Sequence, residues 1–352
     1  MPPTSGPSRP VSNDFPGNAR PTDIAFRPPW VLRHPHLQSM ITQAPWRRRR
    51  ILAAAARLTG SAREVVLDCG DGVRLQGFIS ATGRRDSGVV VLLHGWEGSA
   101  SSSYILSLGS ALLDAGFSVF RLNLRDHGDT KSLNEGLFHS CRLDEVIGAV
   151  RRVREDFASA RLAVVGQSLG GNFALRVGAK AEAVGLAIDR IIAVCPVLRP
   201  KSTMRALDDG LWIYRRYFLS RWRRSLAEKA VAFPHLYEFG DLRRFDTLTA
   251  TTAFFVEHYT EFDSLDEYLS GYAITGRALE GIGIPTRIIF AADDPVIPIA
   301  DLADVARAPA LDISLVAHGG HCGFLDRPLG PSWVDREIVA DLKGLNQAAD
   351  EL

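Results

Sequence analysis

The chain has 352 residues, 46% hydrophobic and 23% charged, with 41 basic against 40 acidic side chains. A balance so close to neutral gives no case for nucleic acid or another strongly charged partner. The apolar content can bury a large core, which excludes disorder throughout. Cys69, Cys141, Cys195 and Cys322 are widely spaced and form no CxxC pair, so neither a disulfide framework nor a zinc site is expected.

Residues 1–22 are rich in Pro, Ser, Gly and Asn and are expected to be disordered. They lack the apolar stretch of a signal peptide, and no apolar run in the chain approaches the roughly 18–20 residues of a membrane span. The expected setting is therefore cytoplasmic. Residues 23–62 read as an extension packed on the core, in which the Pro-punctuated stretch Phe26 to Met40 is expected to be irregular and Arg47 to Arg50 a solvated cluster.

A regular rhythm starts at residue 63. EVVLDC (64–69), the turn Gly70-Asp71-Gly72 and VRLQGFI (73–79) predict a hairpin. VVVLLH (89–94), SVFRLNL (118–124), LAVVG (162–166) and RIIAVCP (190–196) are apolar without alternation, as strands buried on both faces are. Helical stretches near 103–115, 143–157 and 169–181 separate them. PTRIIFAA (285–292) and LDISLVAH (311–318) resume the pattern, and a helix near 332–347 closes it. Strand–helix alternation of this kind predicts an α/β fold with a mostly parallel eight-stranded sheet flanked by helices. On this reading 63–196 and 284–349 form the core, and 197–283 is an inserted, mainly helical cap.

The cap is polarised in charge. Residues 197–230 carry nine basic and three acidic groups, and 236–268 two basic and eight acidic. The preferred expectation is that these halves pair with each other. The alternative is that RRYFLSRWRR (215–224), with its interleaved aromatics, makes a peripheral membrane contact.

Gly166-Gln167-Ser168-Leu169-Gly170 follows one predicted strand and precedes a helix. A serine on so sharp a turn is held in strained backbone with its hydroxyl exposed, and the small flanking residues let strand and helix approach. Such a nucleophile needs a base and a carboxylate that fixes the base's tautomer, here in the order Ser, Asp, His at later strand ends. Asp294 is the favoured acid, three residues beyond the strand's last small residue Ala291, with Asp293 as the alternative. His321 is favoured over His318 as the base because two glycines carry it out on the loop. The amides of Leu169 and Trp96 are the expected oxyanion donors, and His94, Glu97 and the turn Arg125-Asp126-His127-Gly128 are expected to order loops. The pair His258 and Asp263 matches an H-x4-D acyltransferase pattern, but it lies inside the cap rather than at a strand end. No cofactor or metal ion is implied: the glycines match no nucleotide fingerprint, and His318, His321 and Cys322 find no further ligands in the sequence.

Together these residues resemble the α/β-hydrolase superfamily over about residues 63–345. More narrowly they are similar to its YheT-like (ABHD1/2/3-type) branch, through Phe26-Arg27-Pro28-Pro29-Trp30 with His34-Pro35-His36-Leu37-Gln38-Ser39, through His94 to Ser99, and through Asp293-Asp294-Pro295 with Gly319-Gly320-His321. The chain departs from that pattern at Trp96, where Leu is usual, and at Arg125-Asp126-His127. The resemblance implies a serine hydrolase of carboxylesterase or lipase-like activity on small, uncharged esters, with Ser168, Asp294 and His321 as its triad. The alternatives are an acyltransferase using the same intermediate and a non-catalytic binding module of the same fold.

Overall fold

The computed structural model describes residues 26–82, 88–158 and 160–350, the last five by backbone alone. The expectation for residues 1–22 lies outside these. Eight strands form where the apolar runs predicted them: β1 Arg63–Asp68, β2 Arg74–Ser80, β3 Val89–Leu93, β4 Ser118–Leu122, β5 Leu162–Gln167, β6 Arg190–Val194, β7 Thr286–Ala291 and β8 Leu311–Val316. They join in one sheet of order β1-β2-β4-β3-β5-β6-β7-β8. Strand β2 pairs antiparallel with both β1 and β4, and the other neighbours are parallel.

Why the central strands read as unbroken apolar runs is visible in their packing. Val89, Val91 and Leu93 point to one core cluster, and Val90 and Leu92 to another on the opposite face. Each such side chain removed from water contributes about 1.5–3 kcal/mol. The first face is covered by α5 (Leu143–Asp156) and α6 (Leu169–Ala181). The second is covered by α4 (Ser103–Asp114), α11 (Trp333–Asp350) and the N-terminal helices α2 (Pro45–Ala54) and α3 (Ala56–Gly60), which follow α1 (Pro35–Ile41).

The N-terminal segment departs from expectation twice. Pro35 and Pro45 stand at the first positions of α1 and α2, where a missing N–H costs nothing and the fixed φ favours the helix, so proline here starts helices instead of breaking them. Within the arginine run, Arg47 is buried and donates to the carbonyls of Pro328 and Gly330, while Arg48 to Arg50 are exposed.

Between β6 and β7 the chain forms α7 (Pro200–Asp209), α8 (Trp212–Ala232), α9 (Leu248–Tyr259) and α10 (Leu265–Gly271). The expected pairing of its charged halves is largely overturned: among the described residues, Lys201–Asp266 is the one ion pair that links them. The basic groups instead find core carboxylates and backbone oxygens. Lys229 reaches Asp126, Arg199 reaches Asp301 and Asp304, and Arg221 donates to the Glu97 carbonyl. Phe218 and Trp222, aromatics within the basic stretch, turn inward onto Trp96.

Candidate active site

Ligand sites in open parallel sheets lie beyond the carboxyl ends of the strands, and the chemically active side chains collect there. Ser168 ends β5 and caps α6 with φ 54° and ψ −121°, in the left-handed half of backbone space that non-glycine residues rarely enter. The turn survives only because its neighbours lack side chains. A Cβ on Gly166 would stand 2.0 Å from the Gly170 carbonyl, and one on Gly170 would stand 2.2 Å from that of Leu93.

The Ser168 hydroxyl lies 2.9 Å from His321 Nε2, and His321 Nδ1 lies 2.9 Å from Asp294 Oδ2. The other Asp294 oxygen accepts from the amides of Val296 at 2.8 Å and Ile297 at 3.0 Å, so its carboxylate is buried yet hydrogen-bonded at both ends. Asp293 turns away to the Gly320 amide and to His318. Of the two adjacent acids, therefore, Asp294 faces the imidazole. Burial by itself would lower the His321 pKa, but the Asp294 carboxylate and the Cys322 thiol outweigh it and raise it to about 9. The imidazolium is the form that this surrounding favours.

Three elements brace the histidine loop, and two of them come from the N-terminal segment. Ser39 Oγ accepts from the His321 amide, and the buried Gln38 amide donates to the Leu32 and Leu325 carbonyls while its oxygen accepts from the Leu325 amide. Gly320 passes so close to α1 that a Cβ there would meet the Pro35 carbonyl at 2.3 Å. Below the loop, Phe324 packs with Phe26 and Trp333. The stretch His34 to Ser39 carried a resemblance in the sequence but no stated task; this bracing is the task.

The loop after β3 abuts the serine from the other side, where a Cβ on Gly95 would lie 3.2 Å from that of Ser168. Leu169 occupies the first turn of α6, where backbone amides have no intrahelical acceptor. His94 places Nδ1 against the Gly95 carbonyl and Nε2 against the Leu124 amide, and burial lowers its pKa to about 4. His127, likewise lowered by burial, accepts from the Glu97 amide at 3.1 Å. Two neutral histidines thus fix the loop, as the sequence anticipated for His94. Glu97, which lines the cavity, acts through its backbone: its amide donates to His127 and its carbonyl accepts from Arg221, while burial raises its carboxyl pKa to about 7. Trp96 stacks on Phe218 at 5.3 Å and meets Trp222 edge-on at 5.2 Å.

The turn after β4 ties the loops to the helices above. Arg125 forms a buried pair with Glu145 at 2.7 Å, and Asp126 one with Lys229 of α8 at 2.8 Å. Lys229 also donates to the carbonyls of Lys131, Asn134 and Gly136. Burial lowers the Lys229 pKa, and the Asp126 carboxylate opposes that shift.

Between the strand ends and α7–α8 lies a cavity of about 770 Å³, with Ser168 and His321 on its floor and Trp96, Met204, Leu207 and Phe218 on its walls. Of the cap aromatics, Tyr214, Tyr217 and Phe218 line it. Phe254 and Phe255 pack among themselves around Trp222 and Phe239, and Trp212 is exposed. His258 bonds the Phe254 carbonyl on the exposed side of α9, and neither it nor Asp263 lines the cavity. His318 stays with Asp293, whereas Cys195 joins His321 and Cys322 in a cluster that the spacing did not suggest.

Comparison with known proteins gives a consistent picture. The family profile of the alpha/beta hydrolase fold matches residues 88–328. The chain is 27% identical over 319 residues to the putative esterase YheT of Escherichia coli (strain K12), covering 86% of this chain and 88% of that protein. It is 22% identical over 312 residues to the phospholipase ABHD3 of Mus musculus, covering 84% and 72%. Among solved structures, the Pyrococcus furiosus esterase Pf2001 superposes with a TM-score of 0.53 at 16% identity, covering 82% of this chain and 90% of that one.

Proposed function

We propose that this chain, which belongs to the alpha/beta hydrolase family and to its YheT-like branch, is a serine hydrolase that cleaves carboxylic esters through an acyl-enzyme on Ser168. The observation that carries the proposal is the chain of two 2.9 Å contacts from Ser168 through His321 to Asp294. His321 takes the Ser168 proton as the oxygen attacks the ester carbonyl, and Asp294 orients the ring and stabilises the imidazolium. The amides of Leu169 and Trp96 receive the oxyanion, each donor contributing about 2.7–4 kcal/mol. His321 then protonates the departing alcohol. A water molecule, deprotonated by the same ring, releases the acid and restores the serine.

The substrate class follows from the cavity. Its volume of about 770 Å³ suits a small molecule, and its largely apolar walls suit an uncharged ester with an apolar acyl chain. The helices α7–α10 act as a cap over this space. No helix among the described residues is long and apolar enough to cross a membrane. The four free thiols suit a reducing compartment, and the setting proposed is cytoplasmic.

Labelling with a fluorophosphonate probe tests the reading. Wild type is expected to react covalently and Ser168→Ala to remain unlabelled with unchanged thermal stability. An unlabelled wild type, or equal labelling of both, would overturn it.

A further inference from the structure

Two thiols lie beside the His321 ring. Cys195 follows β6 and is fully buried; Cys322 follows His321 in sequence and lines the cavity. Both hold left-handed backbone, with φ 42° and 58°, a conformation that costs a non-glycine side chain energy and persists only where the surroundings impose it. The Cys322 thiol sits 3.7 Å from the Val194 carbonyl and that of Cys195 3.9 Å from the Gly320 carbonyl, so the two residues cross between β6 and the histidine loop. The two sulfur atoms and a ring nitrogen of His321 all lie within 4.8 Å of one another.

We propose that Cys195, Cys322 and His321 form a binding site for a thiophilic divalent ion of the zinc class, and that occupation withdraws His321 from Ser168. Two sulfurs and one imidazole are the soft and borderline donors that such ions select. A tetrahedral zinc ion holds sulfur and nitrogen at about 2.3 and 2.0–2.1 Å, which places its ligand atoms roughly 3.5–3.8 Å apart. The cluster therefore needs to contract by about 1 Å. Binding releases the two thiol protons and, from the imidazolium, one ring proton to solvent, and leaves a fourth position for water.

Metal binding stands apart from the hydrolase reading; only the inhibition rests on His321 being the base. The test uses the full-length chain in a non-thiol reductant, with cadmium chloride as probe. Wild type is expected to bind one ion with an ultraviolet thiolate-to-cadmium absorption band and to lose ester hydrolysis in parallel, both reversed by chelator. Ser168→Ala, which has no hydrolysis to lose, is expected to keep the band. Cys195→Ala, and Cys322→Ala as a second variant at a less buried position, are expected to weaken binding on the order of 100-fold, read as the ratio of activity with and without the ion. A wild type without the band, or cysteine variants as sensitive as wild type, would overturn the site. A band with undiminished hydrolysis would overturn the inhibition.

Discussion

The floor and the roof of the cavity are held in different ways. On the floor, Ser168, Asp294 and His321 stand within a few residues of strand ends, and the first two are fixed by local backbone contacts: the glycines of the turn and the amides of Val296 and Ile297. The roof depends on side chains far apart in sequence. Lys229 reaches Asp126 across 103 residues, His36 reaches Tyr214 across 178, and Trp96 meets Phe218 and Trp222. The difference implies a division of labour: damage to the floor should remove chemistry and spare the fold, and damage to the roof should cost stability or alter substrate choice and spare the chemistry.

The neighbouring carboxylates of the floor provide the sharpest test. Asp294→Asn is expected to lower kcat on the order of 10⁴-fold, because the amide no longer stabilises the imidazolium or its tautomer. Asp293→Asn should change it by less than about tenfold, since that side chain holds the Gly320 amide and His318. The pH profile separates the two further. The neutral ring is the base; burial, the largest single influence, lowers its pKa, and Asp294 and Cys322 together raise it to about 9. Wild-type hydrolysis should therefore climb with pH toward about 9. Asp294→Asn leaves burial opposed by Cys322 alone and should move the acid limb downward, and Asp293→Asn should leave it in place.

On the roof the largest effect belongs to Lys229. Replacing it with Met leaves Asp126 buried without its cation, at a cost of about 3–5 kcal/mol. Denaturant unfolding should register that loss, and the remaining folded enzyme should retain a kcat near wild type. Removing Asp126 as well, in the Asp126→Asn and Lys229→Met double variant, should recover part of the stability. An equal collapse of kcat in the single variant would break the division between floor and roof.

Gln38 sits where the two regions meet. Gln38→Ala strands the Leu325 amide and two carbonyls in a buried place, and about 1–3 kcal/mol should be lost. Because the same contacts brace the His321 loop, kcat should fall as well, more than in Lys229→Met. Measuring unfolding and kcat on the same preparation checks both.

How much of this was legible in the sequence follows the same boundary. Strand ends announce themselves through apolar runs, and a serine between glycines at a strand–helix junction has few other ways to fold, so Ser168, His321 and an acid at Asp294 or, less favoured, Asp293 could be read from local pattern. The choice between Asp293 and Asp294 needed the chain to fold, because it rests on which carboxyl group turns toward the ring. Long-range pairs leave no local trace. Lys229 looks like one more cation in a basic stretch, and Gln38 is a polar residue whose partner Leu325 stands 287 positions away. The charge of the cap misled for a related reason: helix packing decides which carboxylates a cation can reach, and most of those within reach belong to the core. Cys195 and Cys322 are 127 residues apart in sequence, so no spacing rule would have joined them.

The smallest expected effect lies at Trp96, where one residue belongs to both regions: its amide is the proposed oxyanion donor of the floor and its ring packs in the roof. Trp96→Leu keeps the amide and removes the ring, restoring the residue usual in the resembling branch. Loss of the stack on Phe218 and of the edge contact with Trp222 should cost about 0.5–1.5 kcal/mol beyond the lost apolar area. The backbone donor survives, so kcat on a short acyl ester should stay within about threefold of wild type, a difference of less than about 1 kcal/mol in barrier. The freed volume adjoins the cavity, and kcat/KM should therefore shift toward longer acyl chains in a panel of esters. A fall in kcat that is uniform across the panel would mean that the ring, through its packing on α8, sets the position of the amide, and that floor and roof are coupled through this side chain.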